Sequence, residues 1–235
     1  MNMCYLGPGE PILTILKILE TNKLFNVELH GYDSSNKMLS VAEDRLEKLH
    51  AQHLTVQFSN LDDPSNSNIY DIITTSLVLP YALDKGQMLR DRFNQLKSKG
   101  FLISSHWSHP SVVPFLTVIK GVTGFMANGE RINVSELETD GSYSCWREEE
   151  TRQLFASQGF TIEEYISVDL PMSFPNIRTL LSFCDMCPWF NNPTAYSKAE
   201  EETKRILRED FGFQLDFNHS FQLPSIVIVV VASKS

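Results

Sequence analysis

Two periods of apolar and polar positions alternate along the first half of the chain. Short runs rich in β-branched and aromatic residues recur between stretches whose apolar residues repeat every three to four positions. The first pattern predicts strands and the second amphipathic helices, and their alternation is typical of a parallel sheet flanked by helices. The predicted strands lie near residues 2–6, 27–32, 54–58, 70–76 and 100–106, with two more near 160–169 and 225–232.

The predicted helices fall between these strands. The first begins at Pro11, a residue suited to a first helical turn because its missing N–H would have no helical partner there. The second has Ser34 or Ser35 as its N-cap. This second helix is predicted over residues 36–50, and the remaining helices over residues 85–98, 146–159 and 197–211.

Two segments interrupt this pattern, 107–145 and 171–195. Both mix aromatic residues and prolines without a steady period, so we interpret them as irregular inserts. The apolar content of 42% over 235 residues is enough for one substantial core. We therefore expect a single domain covering residues 1–235.

Residues 4–10 and Asp33 outline a nucleotide site. The segment Cys-Tyr-Leu-Gly-Pro-Gly-Glu follows the first predicted strand and opens a helix, and Asp33 ends the second strand. Glycines let the backbone approach a ligand, and an acid at this strand end accepts hydrogen bonds from ribose hydroxyls. A dinucleotide fingerprint needs a further glycine where Ile12 stands, which disfavours NAD. An ordinary turn and a helix-capping acid are the alternatives.

The order and spacing of five segments resemble those of class I S-adenosylmethionine-dependent methyltransferases. The segments are residues 6–10, 31–39, 58–62, 70–77 and 96–103. The resemblance implies a Rossmann-like α/β fold with a mostly parallel seven-stranded sheet, an antiparallel terminal hairpin and helical inserts. It also implies S-adenosyl-L-methionine as the cofactor and a substrate lid built from the two inserts.

The same resemblance assigns the cofactor contacts. Two glycines would approach the methionine part of S-adenosylmethionine. Asp33 would bind its ribose, and the segment after the third strand would contact its adenine. Ser76 and Leu77 occupy the position where the reactive methyl group meets the acceptor. The cofactor residues implied in this way are Gly7, Gly9, Asp33, Met38, Asn60, Leu61 and Ser76.

Three aromatic residues are candidate acceptor contacts: Tyr81, Trp107 and Phe183. Packing in the core is the competing interpretation for each of them. We assign no catalytic residue, because in methyl transfer from a sulfonium the cofactor carries the leaving group and the protein mainly aligns the acceptor. His106 and His109 are interpreted as surface histidines.

Within the superfamily the chain loosely resembles histamine N-methyltransferase-type enzymes of small molecules. The shared features include the glycine turn, Tyr81-x-x-Asp84 and the order of the inserts. Leu77 stands where that family has a glutamine for its substrate, so histamine itself is not supported. The resemblance implies methyl transfer to a small molecule, with an amine nitrogen as one candidate acceptor.

Net charge and cysteine content limit the substrate classes and the cellular compartment that the sequence predicts. The net charge is −9 and no basic run is present, which argues against nucleic acid. Four cysteines without a regular framework predict reduced thiols in the cytoplasm, and residues 226–232 are too short an apolar run to cross a membrane. Cys184 and Cys187 have half the spacing of a zinc site without a second pair, so no metal is expected. We take a monomer as the default.

Met1 stands directly before the first predicted strand. Relatives carry several tens of residues of helix before this point, which cover the cofactor. We therefore expect weak cofactor retention and low activity from this chain. The alternative function is a methyltransferase-like protein without turnover that serves as a binding or interaction module.

Overall fold

The computed structural model of the chain describes most of its residues. The strands are β1 (Asn2–Cys4), β2 (Glu28–Tyr32), β3 (Thr55–Ser59), β4 (Tyr70–Ser76), β5 (Leu96–Trp107), β6 (Phe160–Asp169), β7 (Met172–Phe174), β8 (Phe221–Leu223) and β9 (Ile226–Lys234). The helices are α1 (Glu10–Thr21), α2 (Asn36–Glu47), α3 (Lys85–Gln95), α4 (Pro114–Asn128), α5 (Glu148–Ser157), α6 (Ile177–Ser182) and α7 (Pro193–Arg205), and α7 continues into a π-helical turn, Ile206–Asp210. The description covers residues 2–4, 10–24, 26–33, 35–48, 55–59, 67–79, 82–108, 113–128, 147–182, 192–214, 216 and 219–234.

The main sheet is mostly parallel. Within the described ranges its strand order is β3-β2-β1-β4-β5-β9-β6, with β7 and β8 forming a separate antiparallel pair. Strand β1 pairs in parallel with β2 and β4, and these two pair in parallel with β3 and β5. The short β1 is therefore a central strand.

Strand β9 runs antiparallel to both of its neighbours. The N–H of Ser108, just past β5, donates to the carbonyl of Ile226 at 2.8 Å, and the side-chain Nζ of Lys234, at the end of β9, donates to the carbonyl of Leu96 at the start of β5. On the other side, the N–H of Leu170, just past β6, donates to the carbonyl of Ser225 at 2.8 Å. These bonds confirm the predicted α/β class with an antiparallel terminal hairpin.

The described chain divides into two compact units, each with its own apolar core. Unit one comprises residues 1–106, 148–166 and 229–235, and unit two comprises residues 107–147 and 167–228. In unit one, α1 and α2 contribute to a core with Leu29 of β2. In unit two, α4, α6 and α7 contribute to a second core. The expectation of a single domain stays a prediction.

The prediction that residues 107–145 are irregular is wrong for α4. This helix is buried nearly all round, so it lacks the polar face from which a helical period is read. Its Gly121 allows a close approach, because a Cβ there would lie 2.7 Å from Cδ1 of Ile206. The prediction is also wrong for much of 171–195, where β7 and α6 form and α7 begins.

The boundary between α3 and β5 also differs from the prediction. The helix predicted over 85–98 ends at Gln95, and β5 begins at Leu96 rather than near residue 100. A left-handed backbone at Lys99, with φ +63°, precedes Gly100, where a Cβ would meet the carbonyl of Lys97 at 2.9 Å. The start of β5 is thus bent, and its pairing with β4 shifts register between Tyr70 and Ile72.

Lys234 links the last strand to the end of α3. Its Nζ donates to the carbonyls of Phe93 and Leu96 at 2.7 Å each and to Oδ1 of Asn68 at 3.1 Å. The ammonium also lies 4.7 Å from the centre of the Phe93 ring, and burial lowers the pKa of this lysine. A cation at the carboxyl end of a helix pairs with carbonyls that lack helical partners.

We expect Lys234→Met to lower the free energy of unfolding by about 1.5 to 3 kcal/mol, because the methionine keeps the apolar stem but loses every donor. Urea denaturation measures this as a lower midpoint with an unchanged m value. Lys198→Met, at an exposed position of α7, is the control and should leave the midpoint unchanged. Equal midpoints for the two variants would contradict the assigned role.

Candidate functional site

The carboxyl ends of β1, β2 and β4 meet at one edge of the sheet. In register, Cys4 lies between Tyr32 of β2 and Thr75 of β4. Neighbouring strands are about 4.8 Å apart, so the residues just past Tyr32 and Thr75 flank the end of β1 at roughly that distance on either side. Asp33 and Ser76 are those two residues, and the chain leaving β1 between them carries the glycine segment.

Asp33 is held in place as well as buried. Asp33 follows β2 directly and is only 8% exposed to solvent. Oδ1 accepts a hydrogen bond of 2.8 Å from the N–H of Ser35, the residue that caps α2. The capping interpretation and the ligand interpretation of Asp33 are therefore compatible, because the bond to Ser35 orients the carboxylate at the strand end.

Ser76 belongs to a row of hydroxyl groups that joins β4 to β5. Thr75 Oγ1 donates to Ser104 Oγ at 2.9 Å in the buried part of the row. One residue further along, Ser105 Oγ donates to Ser76 Oγ at 3.3 Å. These cross-strand bonds fix the ends of β4 and β5 relative to each other.

Leu77 has a strained backbone immediately after this row. Its φ is +56°, in the left-handed region that costs a residue with a Cβ about 1 to 2 kcal/mol. Its N–H donates to the carbonyl of Ser105 at 2.9 Å and to the hydroxyl of the same residue at 3.3 Å. Strain of this kind persists where surrounding bonds over-determine the backbone, which is common at functional sites.

Two other predicted site residues are described. Met38 is 40% exposed in the first turn of α2, where its N–H donates to Ser35 Oγ at 3.4 Å. Trp107 ends β5, partly buried, and its ring packs edge-on against Phe115 at 4.9 Å between ring centres. That contact gives Trp107 a role in the second core, and its role as an acceptor contact stays a prediction. Six predicted residues lie outside the described ranges: Gly7, Gly9, Asn60, Leu61, Tyr81 and Phe183.

Sequence reasoning missed Ser104 and Ser105 as part of the site. The sequence contains a pattern that could have indicated them, because two serines follow the apolar run 101–103 at the end of a predicted strand. It also misplaced His106, which the structure buries completely in β5 rather than exposing it on a loop. An inward-facing position on a central strand explains the difference.

Side-chain groups that could hold a metal ion and helices that could span a membrane are both absent from the described part of the chain. No group of three or more His, Cys, Asp or Glu side chains is gathered there in a way that could hold a metal ion. Cys184 and Cys187 lie outside the described residues. Among the described helices, none combines the length and apolar character needed to cross a membrane.

Comparison with known proteins identifies the family. A model of the methyltransferase domain matches residues 1–159. No curated protein is significantly similar in sequence. The residues matched by the family model, 1–159, include the glycine segment, Asp33 and the hydroxyl groups of β4 and β5.

Solved structures agree with this match in fold. A Bacillus halodurans protein assigned as a methyltransferase and the YcgJ protein of Bacillus subtilis both superpose with a TM-score of 0.66 at 14% identity, over 99% of this chain and 91% and 90% of theirs. Geranyl diphosphate C-methyltransferase from Streptomyces coelicolor superposes with a TM-score of 0.53 at 12% identity, over 100% of this chain and 70% of its own. The chain belongs to the methyltransferase domain family and is a class I S-adenosylmethionine-dependent methyltransferase.

Proposed function

We propose that the chain transfers the methyl group of S-adenosylmethionine to a small-molecule acceptor at the edge where β1, β2 and β4 end. The position of Asp33 carries this proposal. It is a buried, oriented carboxylate beside the strand that leads into Gly7 and Gly9. A carboxylate there accepts hydrogen bonds from the ribose hydroxyls of the cofactor, while the glycine backbone passes the methionine part.

The turn at Leu77 supports an alignment role for this chain's own residues. Methyl transfer is an in-line displacement, so its rate depends on holding the acceptor atom opposite the sulfonium. Leu77 follows Ser76 at the strand end, and the bonds from its N–H to Ser105 fix its unusual backbone. We assign this turn to positioning the acceptor. Asn60 and Leu61 are the proposed adenine contacts, with Met38 beside the ribose.

The acceptor is proposed to be small, with an amine as the first candidate class. The net charge of −9 disfavours nucleic acid and favours the approach of cations. An amine attacks only after losing its proton, so a rate that rises with pH is expected for such acceptors. The Streptomyces coelicolor enzyme was solved with geranyl diphosphate and S-adenosylhomocysteine, so the fold also accommodates other acceptor classes. Tyr81, Trp107 and Phe183 remain the proposed acceptor contacts.

Asp33→Asn should weaken binding of S-adenosylhomocysteine by at least about tenfold. The amide can still accept from Ser35, but it loses charge-assisted hydrogen bonds to ribose, each worth roughly 1.5 to 3 kcal/mol. Titration calorimetry measures the change, and Asp44→Asn on the exposed face of α2 serves as the control. The site assignment is falsified if Asp33→Asn binds as tightly as the parent chain.

A screen of acceptors tests the substrate class. We expect formation of S-adenosylhomocysteine with a member of a panel of small amines, and none with duplex or single-stranded nucleic acid. The panel should also contain phenols and carboxylic acids, since these acceptors share the same in-line geometry. Turnover confined to phenols or carboxylic acids would refute the amine proposal, and turnover of nucleic acid would refute the small-molecule proposal.

Ser105→Ala should lower kcat about tenfold while changing the Kd for S-adenosylhomocysteine by less than about twofold. The variant removes the hydroxyl that supports Leu77, and a displacement of about 1 Å can cost on the order of a hundredfold in rate. Ser98→Ala, exposed near the other end of β5, is the matched control. Ser105→Thr should recover much of the rate, because it restores the hydroxyl. Unchanged kcat in Ser105→Ala, with only a lower Tm, would leave the serine a purely structural role.

A further inference from the structure

A pair of tyrosines joins the two strands that flank β1. Tyr32 ends β2 and Tyr70 begins β4, and their hydroxyl oxygens lie 3.0 Å apart, within hydrogen-bond distance. Because β1 lies between these strands, β2 and β4 are about 9.6 Å apart, twice the usual spacing of about 4.8 Å. The two side chains therefore meet across the width of a strand. Both residues belong to unit one.

Tyr70 reaches this position by breaking the alternation of its strand. The register places His30 of β2 and Ile73 of β4 on either side of Asn2, so the side chains of His30 and Ile73 project to the same face of the sheet. In a regular strand Tyr70, three residues before Ile73, would project to the other face. Its ring instead contacts His30 edge-on at 5.6 Å between ring centres. The pairing of β4 with β5 shifts register between Tyr70 and Ile72, which is where the alternation is lost.

The redirected side chain of Tyr70 is buried and supported. Tyr70 is only 5% exposed to solvent. The histidine that its ring contacts is itself held, because Nε2 of His30 lies 2.9 Å from Oε1 of Glu28. Irregularities that redirect a side chain from its regular face are over-represented next to active sites. This irregularity indicates a function for Tyr70 beyond packing.

Tyr32 connects this contact to the proposed cofactor site, because it immediately precedes Asp33. In the described part of the chain, the pairing between β1 and β2 covers three residues of each strand. The bond from Tyr32 to Tyr70 adds a side-chain link to this short ladder, one residue from the carboxylate. A carboxylate that binds two ribose hydroxyls has to be held within about 0.5 Å of its productive position. The tyrosine pair supplies such a constraint at the end of β2.

We propose that Tyr70 is a positioning residue for the cofactor. Acting through Tyr32, it sets the place of the Asp33 carboxylate and with it the affinity of the chain for the ribose of S-adenosylmethionine. This role depends on the proposed function of Asp33. Tyr70 itself makes no contact with the cofactor in this proposal, because it begins β4 and the cofactor site lies where β4 ends.

Tyr70→Phe keeps the ring against His30 and removes only the hydroxyl. We expect its Kd for S-adenosylhomocysteine to be about three- to tenfold higher than that of the parent chain, the effect of losing one hydrogen bond. The Kd for the 2′,3′-dideoxy form of S-adenosylhomocysteine should change by less than about twofold, because that ligand has no ribose hydroxyls for Asp33 to bind. Titration calorimetry measures both values. Tyr165→Phe is the matched control and should leave both unchanged, since Tyr165 is a partly buried tyrosine of unit one whose side chain hydrogen-bonds Thr151.

Any of three results would overturn the positioning role of Tyr70. An unchanged Kd for S-adenosylhomocysteine in Tyr70→Phe would mean that the hydroxyl pair does not position Asp33. An equal rise in Kd for both ligands would assign Tyr70 a general structural role. A further rise of more than about twofold when Tyr70→Phe is added to Asp33→Asn would mean that Tyr70 does not act through Asp33.

Asp33→Asn alone separates this role from the cofactor site on which it depends. If Asp33→Asn leaves the Kd for S-adenosylhomocysteine unchanged, the ribose site itself is misassigned. If Asp33→Asn weakens binding and Tyr70→Phe does not, the ribose site stands and only the positioning role fails.

Discussion

Parallel pairing of Asn2–Cys4 with β2 on one side and β4 on the other gathers the separate motifs of this chain at one place. The pairing brings the end of β1 between Asp33 and Ser76, which are far apart in sequence. A slip of one residue would move the glycine segment about 3.3 Å along the sheet and turn the side chains of β1 to the opposite face. Three residues of pairing therefore set where the chain leaves β1 relative to Asp33 and Ser76.

The sheet was predictable because each of its strands is indicated by residues that are neighbours in the sequence. Strands of alternating or continuous apolar residues ended at glycine, serine and aspartate, and the order of strands and helices indicated a parallel α/β fold. The position of Asp33 followed from the end of β2. The helix α4 was not predictable in this way, because it is buried on nearly all sides. It also contains Gly121, and the need for a glycine there is evident only from the packing of Ile206 against it.

The turn at Leu77 marks the limit of sequence reasoning at the site. Leucine does not favour a positive φ, and nothing near it in sequence signals that conformation. Ser105 imposes it from a neighbouring strand, through bonds that exist only once β4 and β5 have paired. Trp107 poses a related problem: an aromatic residue at a strand end suits a core or a pocket equally, and only its contact with Phe115 reveals the packing role.

The insertion of β9 between β5 and β6 has a consequence for synthesis on the ribosome. In the described sheet, β6 has β9 as its neighbour, so the edge of β6 has no pairing partner until the last strand has emerged. Residues 170–225 must be translated in between, which takes several seconds at about 5 to 20 residues per second. During that interval β5 and β6 each carry a strand edge that is open to misassociation, because both pair with β9 in the finished sheet.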